Sequence, residues 1–513
     1  MKTLRKTIIA IFALLFLFIT PDFIFWIFHK SFRLSEHFTI LFLLLPLSIG
    51  LVLTPNKTLS RSVIVCLATL QIMQFFHIAY FGKQISPFSL YLMGMEMSDV
   101  ITEAIAKFLS YAYIIPIVAI PFALAFYLIK NTYKNKSGTW ILIGFLLLNC
   151  FRVYDSGTCK LNPNEGKFTI ENSTNALFGY FLLKLMDSNA PHYEPYQIIA
   201  LKKPESKEPI NIVYIIGESV NYKHMSLFGY EHDTTPELKK LALENNVYYA
   251  QGVSAAVATI ASVKLMLNIV REPDNIRQSS SSDTDLFRLA KQKGFKTFYF
   301  SAQVDDAIAT VNASNYIDVS TKPEDFIGMD CRTKDEHLFE IFSKQKLTNK
   351  NFIVFHQRAI HSPYKNSVPK KHMSDSGFAS DYDKAISYVD YLVSKIFNLF
   401  NKSEGKFYII WASDHNELQG EEGSFGHGLL LPAVGDVPML FQSNDSEFLR
   451  EIKEICRPTH YEVGKSIANI LGYEISNHNE KDNIFYINGV DYNGKCGHIK
   501  FQKDLKNKKL IYF

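Results

Sequence analysis

Three short segments of this sequence place metal-binding side chains directly after apolar, β-branched runs. Ile215-Ile216-Gly217 leads into Glu218 and Ser219, and Trp411-Ala412-Ser413 leads into Asp414, His415, Asn416 and Glu417. Residues 351–356 end in His356, followed by Gln357, Arg358 and then His361. A carboxylate oxygen beside an imidazole nitrogen suits tetrahedral zinc, with bonds of about 2.0–2.2 Å to either. Twelve residues beyond His415, His427 sits in the glycine-rich Gly426-His427-Gly428. Each signal alone has a plainer reading. An acidic residue after a strand is ordinarily a helix cap or solvated, and a lone histidine is ordinarily a satisfied structural residue. Three strand ends carrying Glu, His and Asp together favour a metal site.

Thr259 is the candidate nucleophile. Ala258-Thr259-Ile260-Ala261-Ser262 precedes the mostly apolar stretch 263–270, which has no Pro or Gly to break a helix. Locally, Thr259 reads as the N-cap of that helix. A catalytic reading is compatible, because the free N–H groups and dipole at a helix N-terminus favour a phosphate. A metal beside the hydroxyl would lower its pKa and neutralise phosphoryl oxygens.

The elements that must position these residues begin near residue 209. Short β-branched and aromatic runs (211–216, 297–301, 351–356, 407–412) alternate there with helical stretches (237–244, 285–293, 336–344, 383–400). This alternation predicts an α/β domain with a mainly parallel central sheet, whose chemistry lies at the carboxyl ends of the strands. Residues 483–513, with Asn488-Gly489 and Asn493-Gly494, read as an edge hairpin.

The beginning of the chain has a different character. Mean hydropathy is only +0.01, yet nearly all long apolar runs precede residue 155. Runs at 7–28, 38–53, 62–81, 108–129 and 139–151 reach or approach the roughly 20 residues of a bilayer crossing, the last being the shortest. Thr20-Pro21-Asp22 is no small-residue cleavage site, so the first run is expected to be an anchor rather than a cleaved signal. Lys2, Arg5 and Lys6, then Lys57 and Arg61, then Lys130, Lys134 and Lys136 fall on one side of five spans. Glu96, Asp99 and Glu103 fall on the other, together with Lys30 and Arg33. The positive-inside rule then puts the N-terminus in the cytoplasm and exports everything after residue 152. The expected domains are a five-helix transmembrane domain (1–152), a linker with an interfacial helix (153–208) and an exported α/β domain (209–513). The apolar segment 176–186 within the linker reads equally well as a helix on the membrane surface or as a buried one.

Net charge is +4 with scattered Lys and Arg, which gives no reason to invoke nucleic acid. Of six cysteines, Cys66 and Cys150 lie in apolar runs and are expected to be packing residues. Cys159, Cys331, Cys456 and Cys496 lie in the exported part, where oxidation is permitted and three pairings are open.

These motifs resemble those of the phosphoethanolamine transferases, membrane-bound members of the alkaline phosphatase and sulfatase superfamily. The resemblance runs from Gly217-Glu218-Ser219 through Met225-Ser226-Leu227-Phe228-Gly229-Tyr230 and Thr234-Thr235-Pro236 to Thr259-x-x-Ser262. It continues through His356-Gln357, His361-x-Pro363, Tyr382-Asp383 and Tyr388-x-Asp390 to Asp414-His415-x-Glu417-x-x-Gly420-Glu421 and His427-Gly428. It implies an alkaline-phosphatase-like fold after five transmembrane helices. It also implies a zinc ion held by Glu218, Thr259, Asp414 and His415, with Thr259 the nucleophile that becomes phosphoethanolamine-modified. His361 and His427 would contact the phosphoryl group or a second metal. Asp99 and Glu103 resemble, more loosely, an acidic loop near the family's lipid-binding cleft. The implied donor is phosphatidylethanolamine and the implied acceptor a lipopolysaccharide, at core heptose or lipid A. The implied location is the bacterial inner membrane, with the catalytic domain in the periplasm.

The chain departs from many relatives around the nucleophile. Ala255, Ala256 and Leu265 stand in neighbourhoods that hold cysteines there, and Lys264 replaces a proline. Two rival readings are a lipoteichoic-acid-type synthase transferring glycerol phosphate and a membrane scaffold with a degenerate outer domain. The His-Gln…His-x-Pro and Asp-His-x-Glu motifs favour phosphoethanolamine over the first. The complete Glu, Thr, Asp, His set argues against the second. A sulfatase would need a C/S-x-P-x-R motif, which is absent near Thr259.

Overall fold

In the computed structural model the described residues are 2–28, 40–81, 84–85, 90, 109, 111–156, 168–187, 192–201, 208–244, 247–303, 314–401, 404–421, 425–481, 483–490 and 497–513. Lys30, Arg33, Glu96, Asp99, Glu103, Cys159, Asn493, Gly494 and Cys496, named above, lie outside them. Contacts divide the chain into two compact units, Met1–Ala190 and Pro191–Phe513.

The first unit is helical. All five apolar runs contribute helix: Lys2–Phe28, Ile40–Leu53, Lys57–Phe81, Ile114–Leu128 and Lys136–Ser156. Two stretches, Thr3–Phe28 and Lys57–Ala79, are long and apolar enough to cross a membrane. The apolar helices Leu44–Leu53, Ile114–Leu128 and Lys136–Leu147 are shorter. Of the five spans expected from the sequence, two are therefore long and apolar enough by themselves among the described residues. Leu14, Phe18, Phe25, Leu51, Phe75, Val118 and Phe122 form the shared core. Cys66, expected to pack, is instead exposed on its helix, and its thiol is free.

A sixth helix, Thr169–Asp187, belongs to this unit and packs against Lys2–Phe28, Lys57–Phe81 and Lys136–Ser156. Its N-terminus is fixed by a buried carboxylate. Asp22, inside the first helix, accepts from both the backbone N–H and the hydroxyl of Thr169 at 2.8 Å. An acceptor at a helix N-terminus satisfies an otherwise orphaned donor. The strand Gln197–Ala200 pairs with Tyr473–Ser476 in the second unit. The stretch 153–208 is thus shared between the two units.

The second unit is built on a seven-stranded sheet. Its spatial order is Tyr248–Val253, Asp436–Ser443, Lys406–Ser413, Ile210–Gly217, Lys350–His356, Lys296–Ser301 and Val319–Ser320. The last five strands in that order are parallel. Asp436–Ser443 runs antiparallel to both its neighbours, so the sheet is mixed. The two strands on that side lie outside the sequence-predicted set. The parallel strands read as continuous apolar runs because both of their faces are covered. Alternate residues of Ile210–Gly217 serve opposite faces. Ile212, Tyr214 and Ile216 join the core under the helices Thr259–Leu267, Leu286–Gln292 and His460–Leu471. Val213 and Ile215 join the core under Pro236–Glu244, Lys334–Ser343 and Asp381–Asn401. The chain end forms a three-stranded antiparallel sheet, Ile484–Asn488, His498–Asp504 and Lys509–Tyr512, one strand more than the expected hairpin.

Register decides what meets at the carboxyl edge. Gly217 pairs with Ser413, and Ile216 with His356. Glu218, Asp414 and Gln357 therefore emerge side by side.

Candidate metal centre

Glu218, Asp414 and His415 are buried to 2%, 0% and 0% exposure, and their ligand atoms lie within 4.8 Å of one another. Each sits one or two residues past its strand, where the backbone leaves the sheet. Gly217 allows the close approach, since a Cβ there would lie 3.1 Å from the Trp411 ring. Asp414 Oδ1 accepts from the backbone N–H of Ser219 at 3.0 Å and of His415 at 2.8 Å. Its Oδ2 is buried and accepts no hydrogen bond. His415 Nδ1–H donates to the carbonyl of Asn416 at 3.2 Å, which leaves Nε2 as the lone-pair nitrogen. Nε2 lies 3.4 Å from Asp414 Oδ2 and 3.9 Å from Glu218 Oε1.

Thr259 begins the helix Thr259–Leu267; the N-cap is Ala258, whose side chain makes no capping bond. The N-cap role expected locally for Thr259 is therefore not taken. Its hydroxyl turns instead toward the carboxylates, 3.1 Å from His415 Nε2 and 3.4 Å from Glu218 Oε2.

Two buried carboxylates with an orphaned oxygen, beside an imidazole nitrogen free to donate its lone pair, are costly unless a cation compensates them. Burial pushes the Asp414 carboxyl up to about 6, with the imidazole of His415 opposing and the charge of Glu218 adding. Burial alone would raise Glu218 too, but His415, the Ser219 hydroxyl and His361 hold it below the usual carboxylate range. A divalent cation fits this donor set. Among the described residues, no other group of His, Cys, Asp and Glu is so arranged.

His427 reaches the same place by a fold of the chain. The short strands Leu418–Gln419 and Phe425–Gly426 pair, which returns His427 to Glu417. Its Nδ1 meets Glu417 Oε2 at 2.6 Å, and its ring lies 4.3 Å from that of His415. The Glu417 hydrogen bond raises the His427 pKa. His361 is partly exposed, with Nδ1–H donating to the Ser362 carbonyl at 2.7 Å. His356 does not join the cluster. It is buried beneath, bonded to the Tyr299 hydroxyl at 3.0 Å, and burial lowers its pKa to about 4.

Sequence reasoning assigned nothing to three residues that hold the cluster. The Gln303 amide donates to Glu218 Oε2 at 2.6 Å and to the Gln357 carbonyl at 2.7 Å. The Ser262 hydroxyl donates to the Asp414 carbonyl at 2.5 Å. His460, fully buried, accepts the Ala255 N–H at Nδ1 (3.0 Å) and donates from Nε2 to the Ser413 carbonyl (2.9 Å). It joins the loop before Thr259 to the strand that leads into Asp414. Ser262 was visible within a motif; Gln303 and His460 carried no local signal.

The fold and the site together define a sulfatase-like protein, and residues 210–450 match the Sulfatase family model. The Kdo(2)-lipid A phosphoethanolamine 7''-transferase of Salmonella typhimurium is 27% identical over 313 residues, 53% of this chain and 54% of the relative. Phosphoethanolamine transferase EptA of Helicobacter pylori is 28% identical over 241 residues, 42% of this chain and 44% of the relative. The matches thus span about half the length of these curated relatives. Among solved structures, the C-terminal periplasmic domain of EcEptC from Escherichia coli, in complex with Zn, is similar at a TM-score of 0.47. It shows 20% identity over 58% of this chain and 94% of that one. The integral membrane lipooligosaccharide phosphoethanolamine transferase A of Neisseria meningitidis gives a TM-score of 0.45. Its identity is 15% over 91% of this chain and 95% of that one. Over about half of its length the chain is thus similar to phosphoethanolamine transferases.

Proposed function

We propose that this protein is a zinc enzyme of the bacterial inner membrane that moves phosphoethanolamine from phosphatidylethanolamine to a lipopolysaccharide acceptor, core heptose or lipid A. The observation that carries the reading is the Thr259 hydroxyl within hydrogen-bond distance of two members of the buried Glu218, Asp414, His415 cluster. A nucleophile aimed at paired carboxylates is poorly suited to anything but a cation-assisted attack. The phosphoethanolamine transferases among the relatives support the chemistry of the transferred group.

Glu218, Asp414 and His415, with Thr259 as fourth donor, would hold the zinc. Bound there, zinc supplies a lowered pKa for the Thr259 hydroxyl and charge neutralisation for the phosphoryl oxygens. The reaction is a two-step exchange. Thr259 Oγ attacks the donor phosphorus, the bond to the glycerol oxygen breaks, and diacylglycerol leaves with the proton that Thr259 gave up. The acceptor's hydroxyl or phosphate oxygen then attacks the same phosphorus, and Thr259 takes a proton back. His361 and His427 contact the phosphoryl group. Glu417 fixes the His427 ring by binding Nδ1, so that Nε2 is the atom that holds or passes a proton. The catalytic domain works in the periplasm, with the N-terminus in the cytoplasm.

Full-length protein given donor lipid alone should release diacylglycerol and gain one phosphoethanolamine mass on Thr259. A glycerol phosphate mass would point to the teichoic-acid-type chemistry. An adduct that forms only when acceptor is present would refute the two-step order. Thr259→Ala should abolish the adduct while zinc remains bound.

A further inference from the structure

Arg358 stands out among the arginines of the second unit. Arg271, Arg288, Arg332, Arg450 and Arg457 each lie beside an Asp or Glu, and Arg277, which has no such ion pair among the described residues, is exposed to solvent. Among the described residues, the Arg358 guanidinium has no carboxylate at ion-pair distance. Its contacts are the Gln303 side-chain carbonyl, which accepts from Nη1 at 3.2 Å, and His361 Nδ1, 3.5 Å from Nη2. A guanidinium stays charged at any physiological pH and presents a fork of donors suited to phosphate.

Its position is fixed at both ends. Gln357 N–H donates to the Ile216 carbonyl at 2.9 Å, which sets this strand end against the one that carries Glu218. The next residue, Arg358, donates its own backbone N–H to the buried Asp335 carboxyl at 3.0 Å. From there the side chain reaches Gln303, and the same Gln303 amide donates to Glu218 Oε2 at 2.6 Å. The guanidinium is thus one side chain away from the candidate metal ligands, and half-buried.

Charge balance indicates what it is for. Glu218 and Asp414 carry two negative charges, which one divalent cation cancels. A phosphodiester arriving at Thr259 brings one more negative charge, and it must enter a site whose centre is then neutral. Arg358 is the cation placed to meet it.

Resting on the phosphoryl-transfer reading above, we propose that Arg358, braced by Gln303, binds the non-bridging phosphoryl oxygens of the donor phosphodiester. The bridge has a second consequence. Losing the guanidinium frees the Gln303 carbonyl but leaves the Gln303–Glu218 bond in place, so metal binding should survive the substitution.

The test uses full-length protein in mixed micelles with phosphatidylethanolamine, and variants Arg358→Ala, Arg358→Lys and Arg358→Gln. In Arg358→Ala, donor cleavage without acceptor should fall in kcat/KM by about 100-fold, the usual effect of removing one transition-state donor. Zinc content should be unchanged. Added guanidinium chloride should restore part of the rate to Arg358→Ala and none to Arg358→Gln, whose side chain fills the space. Arg358→Lys should recover part, as a charge without the fork. Inorganic phosphate should inhibit the wild type competitively and the Ala variant about tenfold more weakly. Unchanged donor cleavage and unchanged phosphate inhibition in Arg358→Ala would overturn the proposal. A defect confined to the acceptor step would overturn it as well, by moving Arg358 to an acceptor phosphate. If the wild type cleaves no donor yet binds phosphate in an Arg358-dependent way, the proposed function falls and the anion site stands.

Discussion

At the scale of single residues, Asp414 is where pH should be felt. In the metal-free protein its folded pKa of about 6 lies above the ordinary 3.8. The protonated form is therefore favoured by folding. That contribution is complete below about pH 4 and is lost as pH rises through about 6. Chelated protein should accordingly melt lower at pH 7 than at pH 5, and zinc should remove the difference. Zinc binds only the carboxylate, so its affinity should fall by about tenfold per pH unit below pH 6, one proton displacing one ion. Calorimetry with a zinc buffer at pH 5, 6 and 7 measures both. A zinc affinity flat across that range would remove Asp414 from the ligand set. His460 works differently, through two backbone partners. His460→Ala leaves the Ala255 N–H and the Ser413 carbonyl buried and unpaired, at about 1–3 kcal/mol each. A lowered melting temperature is expected, with slower Thr259 modification at full zinc loading. His460→Gln should recover part of both if its amide reaches Ser413.

At the scale of elements, the site depends on two parallel strands leaving the sheet in register. Their start is pinned by the Lys406 N–H donating to the Pro209 carbonyl at 2.8 Å. Gly405, just before, has φ +80, and a Cβ there would stand 2.2 Å from the Pro209 oxygen. Gly405→Ala should thus cost about 1–3 kcal/mol from backbone strain alone. Thermal unfolding of the full chain would show it. Gly472, with φ +91, closes the helix His460–Leu471 in the left-handed conformation, but a Cβ there meets nothing nearer than the flexible Lys293 side chain at 3.4 Å. Gly472→Ala should therefore destabilise less than Gly405→Ala. The reverse order would mean that the strand entry is not the tighter constraint.

At the scale of the whole molecule, the proposed function would require the second unit to lie outside the inner membrane, where donor headgroups and lipopolysaccharide are presented. The basic segments 1–6, 54–61 and 130–138 would then lie in the cytoplasm. An alkaline phosphatase reporter joined after Phe513 should be active, and one joined near Lys134 silent. The helix Lys136–Ser156 decides the parity, since the apolar run within it, 139–151, is the shortest of the five. Such a segment crosses only with little tilt or a locally thinned bilayer. A silent C-terminal reporter would sink the transferase reading, because no such acceptor is presented in the cytoplasm.

Much of the candidate centre was legible in the sequence because its candidate ligands are local. Glu218 and Asp414-His415 follow strands whose apolar, β-branched residues announce themselves, and the helical stretch 383–400 appears as Asp381–Asn401. Residue type and strand end together carry the chemistry, and neither needs a partner to be recognised. What the tertiary structure decided is whatever depends on register and return of the chain. Periodicity finds a strand but not its neighbour, so the antiparallel strand Asp436–Ser443 and the mixed sheet were hidden. The boundary at Ala190 and Pro191 was hidden too, because Thr169–Asp187 is held by Asp22, 147 residues earlier in the chain. Gln303 and His460 act through single hydrogen bonds to groups far away in sequence, several of them backbone. A backbone N–H or carbonyl is the same at every residue. Bonds to it leave no mark in the sequence, and only the folded chain reveals which ones are made.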